Sequence, residues 1–426
     1  MFTHFSDDFA SRVIFRAAVF GYLPLTFLIG MLAPCTVRGA EHVIHISVDG
    51  LNAQMLQDAI DAGDAPTFKR LRDEGAWTNN SRTDFTHTVT LPNHTSMITS
   101  RPVLRPKGMK KTVYHNWTLN DVPQRNTTLH NNNPNVDYVG STFDVAHDAG
   151  LSTALYTSKD KFVIYDQSYN ETGGADNPHG RDKIDVYFFQ DDGPPNYSAT
   201  MNERFLTDLA ARHFQYAFVH YRDTDSAGHA FGWGGSAYRQ AIKSVDGYLA
   251  AVLRLVESDK KLAGRTAIIL TTDHGGIWFN HGDPAIPPDY TIPMIVWGAG
   301  VGHGDLYKIN AETRTDPGED RPDYNAAGQP IRNGDTGNLA LSLLGLGPVS
   351  GSLINAKQDL RVALAGDYNL DGSVDAADQV IWQETDGSAT DLRADGNRDG
   401  RVDQADYDLW KAHFGQTAVP APSSGS

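Results

Sequence analysis

From His42 onward the chain alternates between short apolar runs and longer stretches in which apolar residues recur every three or four positions. His42-Val-Ile-His-Ile-Ser-Val48 reads as a strand and Thr67 to Gly75 as a helix. A helix is predicted over Asp137 to Ala149, then strands over Leu151 to Tyr156 and Tyr216 to Tyr221. A long helix is predicted from Ala237 to about Glu257, followed by strands over Thr266 to Thr272 and Ile292 to Trp297. Strands alternating with helices imply βαβ units, hence an α/β domain around a mostly parallel sheet. Residues 101–135 and 301–335 are rich in Pro, Gly, Asn and Asp and read as loops over that sheet. A helix from Asn338 to Leu346 is expected to close the domain, which is assigned to residues 41–362.

The two ends of the chain follow other patterns. Arg12 and Arg16 precede the apolar run Ala17 to Ala33, and Val37-Arg-Gly-Ala40 ends in small residues. This is the layout of a cleaved export signal, so residues 1–40 are expected to be a signal peptide and the mature protein secreted or periplasmic, with no membrane attachment after cleavage. The alternatives are an uncleaved anchor and, less well matched because Pro34 precedes it, a lipoprotein attached at Cys35. That cysteine is the only one in the chain, so an internal disulfide is excluded.

Residues 366–416 are acidic, punctuated by glycine and twice repeated, and read as a separate all-α module. Asp367, Asn369, Asp371, Ser373, Asp375 and Asp378 fall at positions 1, 3, 5, 7, 9 and 12 of a loop with Gly372 at position 6. Asp395, Asn397, Asp399, Arg401, Asp403 and Asp406 repeat the spacing around Gly400, Arg401 offering its backbone carbonyl. That is the spacing of an EF-hand calcium loop. Aspartate at position 12 resembles the dockerin type I repeat, which implies calcium and a cohesin-like protein partner. Helices are expected over Ala376 to Glu384 and Gln404 to Phe414, and residues 417–426 are expected to be a disordered tail.

Over 426 residues the formal net charge is −16, which leaves nothing to replace the counterions of a nucleic-acid polymer. Phosphate-bearing small molecules remain open, because bound metal ions set the local charge of such sites. Acidic residues stand at or just beyond the ends of three predicted strands: Asp49, Asp223 with Asp225, and Asp273. In an open parallel sheet those ends share one edge, where ligands bind. Asp225-Ser-Ala-Gly-His229 places carboxylate and imidazole one helical turn apart, Asp273-His274 adds two ligands, and His281 follows. Carboxylate and imidazole suit zinc-like ions, and two such ions about 4 Å apart stabilise both oxygens of an in-line displacement. Thr90-Leu-Pro-Asn93 reads as a helix start, where the dipole and free N–H groups favour an anion. Asn93 is expected to donate to a phosphoryl oxygen, and Lys159 and Lys161, just beyond a strand, to contact substrate.

Taken in order, Val48-Asp-Gly50, Thr90-Leu-Pro-Asn93, Asp225-Ser-Ala-Gly-His229 and Asp273-His-Gly275 resemble the alkaline phosphatase superfamily, most closely its type I phosphodiesterase/nucleotide pyrophosphatase branch, over roughly residues 42–350. The resemblance implies an alkaline-phosphatase-like three-layer sandwich and two zinc ions, with manganese as the alternative metal. One ion would be held by Asp49, Thr90, Asp273 and His274, and the other by Asp225, His229 and a later histidine. His281 is preferred for that last position over His303, and Asp225 over Asp223. The activity implied is phosphoester hydrolysis through a phosphothreonine on Thr90, with diesters or nucleotide pyrophosphates as substrates. A phosphomonoesterase on the same site is the runner-up, and a catalytically inactive binding protein anchored through its repeat module is the alternative of another class. A sulfatase is disfavoured because Thr90 stands where that branch carries a modified Cys or Ser.

Overall fold

In the computed structural model, which describes residues 39–419 except Arg398, eight strands form one sheet. They are β1 (His42–Val48), β2 (Ala76–Arg82), β3 (Thr153–Thr157), β4 (Val186–Phe189), β5 (Tyr216–Tyr221), β6 (Thr266–Thr271), β7 (Thr291–Gly298) and β8 (Gly304–Asp305). Their order is β4-β3-β5-β1-β6-β7-β2-β8. Every pairing is parallel except the two made by β7, which runs against β6 and β2. Alternation along β1 sends Ile44, Ile46 and Val48 into one core layer and Val43 into the other. The first layer is closed by helices Ala53–Asp61, Pro66–Asp73, Ala199–Arg212 and Ser236–Ser258, the second by Thr90–Thr99, Thr142–Asp148 and Asp335–Leu343. Burial on both faces explains why the central strands read as continuous apolar runs.

Several elements lie outside the pattern in the sequence. β2 is Ala-Trp-Thr-Asn-Asn-Ser-Arg, too polar to read as a strand; its pairing with β7 shifts register between Thr78 and Ser81. The helix Ala53–Asp61 starts because the Asn52 side chain accepts from the N–H groups of Gln54 and Met55. The helix expected from Asp137 starts only at Thr142, where Ser141 and Asp144 form a capping box.

The C-terminal repeat is not detached from the sheet domain. Its helices Ala376–Thr385 and Gln404–His413 mirror each other: Trp382 Nε1 donates to the Asp403 carbonyl at 2.9 Å and Trp410 Nε1 to the Asp375 carbonyl at 2.8 Å. Tyr368, Val374, Val402 and Trp410 belong to the same hydrophobic cluster as one face of the sheet. Thr417 and Ala418, expected in the disordered tail, are ordered. Ala418 donates to the Gly372 carbonyl at 2.9 Å and accepts from the Asp305 N–H at 3.0 Å, so this short segment joins the first acidic loop to edge strand β8. The expected signal peptide lies outside the described residues up to position 38. Among the described residues, no helix is long and apolar enough to cross a membrane.

Candidate active site

Four neighbouring parallel strands deliver the site. Beyond the C-terminal ends of β3, β5, β1 and β6 stand, in that spatial order, Lys159, the Asp223–Phe231 helix, Asp49 and the Asp273-His274 pair. β7 runs the other way, so the loop that enters it, carrying His281, starts from the same edge. Two groups result: Asp49, Asp273 and His274 in one, Asp225, His229 and His281 in the other, each with ligand atoms within 4.8 Å of one another. His274 and His281 stack with ring centroids 3.5 Å apart, which sets the groups side by side.

Each imidazole is held by its Nδ1, which lies 3.1 Å from the Phe279 carbonyl in His229, 2.8 Å from the Gly275 carbonyl in His274 and 2.6 Å from the Thr88 carbonyl in His281. A carbonyl only accepts, so Nδ1 carries the proton and the Nε2 lone pair is presented inward. Asp49 Oδ1, Asp225 Oδ1, Asp273 Oδ2 and His274 Nε2 are buried and have no hydrogen-bond partner among the described residues. Acceptors that converge without a donor are costly unless a cation lies between them, so the donor set fits metal ions.

Lys159 supplies positive charge from the protein itself. Its Nζ lies 2.8 Å from Asp49 Oδ2, 2.7 Å from Asp225 Oδ2 and 3.4 Å from Thr90 Oγ1. Burial opposes its charge, but Asp225, Asp49 and Asp273 outweigh that effect and hold its pKa above the ordinary lysine value. Burial likewise works against the Asp225 carboxylate, and Lys159 holds its pKa well below the usual range. Lys161 is half-buried, and burial together with Lys159 lowers its pKa. Thr90 opens the helix Thr90–Thr99 and is buried; the N-cap Val89 offers no side-chain cap.

Not every expected site residue faces the chemistry. The Asn93 amide donates to the His87 and Val89 carbonyls at 2.9 and 3.2 Å, and its Oδ1 accepts from the Asp84 N–H at 2.9 Å. Contrary to expectation it braces the loop that leads into Thr90, and its amide hydrogens are already used. Asp223 turns away to Ser198 and Tyr248, and burial pushes its carboxyl up to about 6. His303 sits elsewhere, its carbonyl packed against Gly372 of the first acidic loop.

Three contributors carry no motif. Asn120, from the 101–135 loop, accepts the Leu91 N–H through Oδ1 at 2.9 Å and so caps the start of the Thr90 helix from outside it. Thr88 donates its hydroxyl to the His281 carbonyl at 2.6 Å while its own carbonyl receives His281 Nδ1. Trp233 ties three motifs together. Its Nε1 donates to the Gly50 carbonyl at 3.0 Å, and a Cβ at Gly228 or Gly276 would come within 2.5 or 2.3 Å of its indole. Gly50 has φ +70°, and a Cβ there would meet Asp225 Cα at 2.9 Å. The motif glycines thus allow the carboxylates to approach one another.

The fold and site define an α/β protein with a divided carboxylate–imidazole centre beside a threonine at a helix N-terminus. The chain belongs to the type I phosphodiesterase / nucleotide pyrophosphatase family, which it matches over residues 43–331. Curated relatives match only in part. GPI ethanolamine phosphate transferase 1 of Chaetomium globosum is 32% identical over 112 residues, 26% of this chain and 12% of the relative. The Mus musculus protein of that name is 28% identical over 139 residues, 32% of this chain and 15% of the relative. Among solved structures, an inactive variant of murine ectonucleotide pyrophosphatase / phosphodiesterase 5 in complex with AMP has a TM-score of 0.48 at 13% identity, covering 75% of this chain and 99% of that one. The alkaline phosphatase PafA gives the same figures, TM-score 0.48, 13% identity, 75% and 99%.

Proposed function

We propose that the protein is a two-metal phosphoester hydrolase, most readily a phosphodiesterase or nucleotide pyrophosphatase, with Thr90 as nucleophile. The supporting observation is the pair of donor groups whose inward atoms lack partners, set against a buried threonine hydroxyl. Asp49, Asp273 and His274, with Thr90, would hold one zinc ion, and Asp225, His229 and His281 the other. Bound there, the ions supply Lewis acidity to the nucleophile, the transferred phosphoryl group and the departing oxygen. Thr90 Oγ1 gives up its proton and attacks phosphorus, the P–O bond to the leaving alcohol or phosphate breaks on the Asp225 side, and the departing oxygen takes a proton from water; a second water then cleaves the Thr90 phosphoester and restores the hydroxyl. The Asn120 amide, anchored through Oδ1 on the Leu91 N–H, orients the phosphoryl oxygens, and Lys159 places a positive charge beside Thr90.

Lys159 also favours a second reading. A monoester brings more negative charge to the transferred group, and Lys159 stands at that position with Lys161 nearby. Turnover of bis-p-nitrophenyl phosphate and p-nitrophenyl phosphate by wild type and Lys159→Met decides between them. A diester preference that survives the substitution supports the phosphodiesterase. A monoester preference lost on substitution establishes the phosphomonoesterase. No turnover of either with both metals bound returns the protein to a binding role.

For the repeat, we infer calcium in both loops. Asp367 accepts from the Asp371 and Gly372 N–H groups, Asp395 repeats this with Asp399 and Gly400, and both glycines have positive φ. Export of the mature chain and recognition of the module by a cohesin-like partner belong to the same proposal, tested by secretion assays and cohesin pull-down.

A further inference from the structure

A chain with a formal net charge of −16 carries one stretch of the opposite sign. Residues 101–125 hold Arg101, Arg105, Lys107, Lys110, Lys111 and Arg125 against a single acid, Asp121. Arg101 is buried and clasps the Thr112 carbonyl and, at 2.7 Å, the Ser350 carbonyl, which closes the base of a hairpin. The His115 N–H donates to the Pro102 carbonyl at 3.1 Å and the Asn116 N–H to the Val103 carbonyl at 2.9 Å, pairing its two arms. At the tip the Met109 N–H turns back onto the Pro106 carbonyl at 3.1 Å, and the Asn133 amide holds the Lys111 and Tyr114 carbonyls at 3.0 and 2.9 Å. The backbone is thus fixed. The side chains of Lys107, Lys110 and Lys111 are exposed and make no ion pair or hydrogen bond among the described residues.

The same loop concentrates exposed aliphatic side chains. Leu104, Leu119 and Val122 are 38%, 58% and 53% exposed, three of the nine large apolar side chains in that state among the described residues. His115 Nε2 lies 3.1 Å from Ser96 Oγ, and Asn120 accepts from the Leu91 N–H at 2.9 Å. The base of the hairpin and the segment around Asn120 therefore rest on one helix, roughly 7–8 Å apart along its axis.

Cations that are held in place and unpaired favour an anionic partner. Screening limits the reach of surface charges to about 10 Å, so the acidic remainder of the molecule does little to offset them. A soluble polyanion gains nothing from Leu104, Leu119 or Val122. A lipid headgroup layer takes lysines at its charged surface and aliphatic side chains into the acyl boundary just beneath. We propose that the 101–125 loop is a docking surface for an anionic phospholipid membrane. The attachment is peripheral and reversible, where the sequence reading expected none after signal cleavage, and it needs no anchor. Docking does not depend on the reaction proposed above. The loop does supply Asn120 to the start of the Thr90 helix, so the docked face and the nucleophile share one support.

The test is co-sedimentation with vesicles. Protein starting at residue 41, which retains every element of the fold, is mixed with vesicles of phosphatidylcholine and with vesicles containing about one-third phosphatidylglycerol. Wild type is expected to bind the anionic vesicles at least about tenfold more tightly and to leave them as salt rises. Each cation near such a surface is worth roughly a factor of five. Lys107→Gln/Lys110→Gln/Lys111→Gln is therefore expected to bind about a hundredfold more weakly, with Tm and zinc content as in wild type. Leu104→Ser/Leu119→Ser/Val122→Ser is expected to weaken binding severalfold. Equal binding to both kinds of vesicle, or a glutamine variant that binds like wild type, overturns the docking surface. Dextran sulfate bound as tightly as the anionic vesicles, with vesicle binding unchanged in the serine variant, overturns the lipid assignment in favour of a soluble polyanion.

Discussion

Replacing Thr88 by valine should weaken one of the two metal positions and spare the other. Thr88 is buried two residues before Thr90, and it meets His281 twice, hydroxyl to carbonyl and carbonyl to Nδ1, both at 2.6 Å. Valine keeps the shape and the backbone carbonyl but removes the hydroxyl donor. A buried carbonyl left without its donor costs about 1–3 kcal/mol. Relief of that cost lets the His281 backbone shift and misaligns Nε2, and losses of this kind behind a metal ligand weaken binding by roughly 10–100-fold. About tenfold, or roughly 1.4 kcal/mol, is the expected effect on the position built from Asp225, His229 and His281. The assay is zinc competition against a chromophoric chelator, which resolves the two equivalents. Thr88→Ser, which retains the donor, should restore wild-type affinity. Equal weakening of both equivalents, no weakening at all, or a serine variant that behaves like valine would refute the reasoning.

Other outcomes follow from the same geometry. Thr90→Ala should lower turnover by roughly three orders of magnitude or more; zinc analysis should still find at least the Asp225, His229 and His281 equivalent, and near-normal turnover removes Thr90 as nucleophile. Gly228→Ala would press a methyl to 2.5 Å from the Trp233 indole, and overpacking of this order costs about 1–3 kcal/mol, read as a lower midpoint in urea unfolding. A midpoint equal to that of wild type would show that Trp233 moves aside freely. Adding calcium to chelator-treated, zinc-reloaded protein should raise Tm by a few degrees, as expected for a ligand at about a hundred times its Kd; an unchanged Tm argues against calcium in the acidic loops.

What was legible in the sequence was whatever depends on one local pattern. The five central strands are apolar runs because both faces are covered, and the six donors stand out because they sit just beyond strand ends, on the helix that follows β5, or in the segment that leads into β7. Asn93 shows where local reading fails: its position in Thr-x-Pro-Asn matches a ligand-facing role, yet the loop from Asp84 to Val89 folds back and takes its amide. Asn120 and Thr88 lie in polar loops whose course is set by contacts far along the chain, and a lone Asn or Thr there carries no signal. Trp233 was hidden for the opposite reason, since one tryptophan after a helix is ordinary until three glycines from three motifs are seen around it.

The short segment that joins β8 to the first acidic loop bears on how this polypeptide stays in solution. Edge strands with free N–H and C=O groups recruit strands from other molecules. Here the Asp305 N–H is already taken by Ala418, whose own N–H is held by Gly372. Whatever loosens the loop around Gly372 therefore unlatches the border of the sheet, and chains trimmed before residue 416 should associate edge to edge. For anyone preparing the protein, the C-terminal repeat is better regarded as a fitted end-plate than as a cargo tag to be cut away or exchanged.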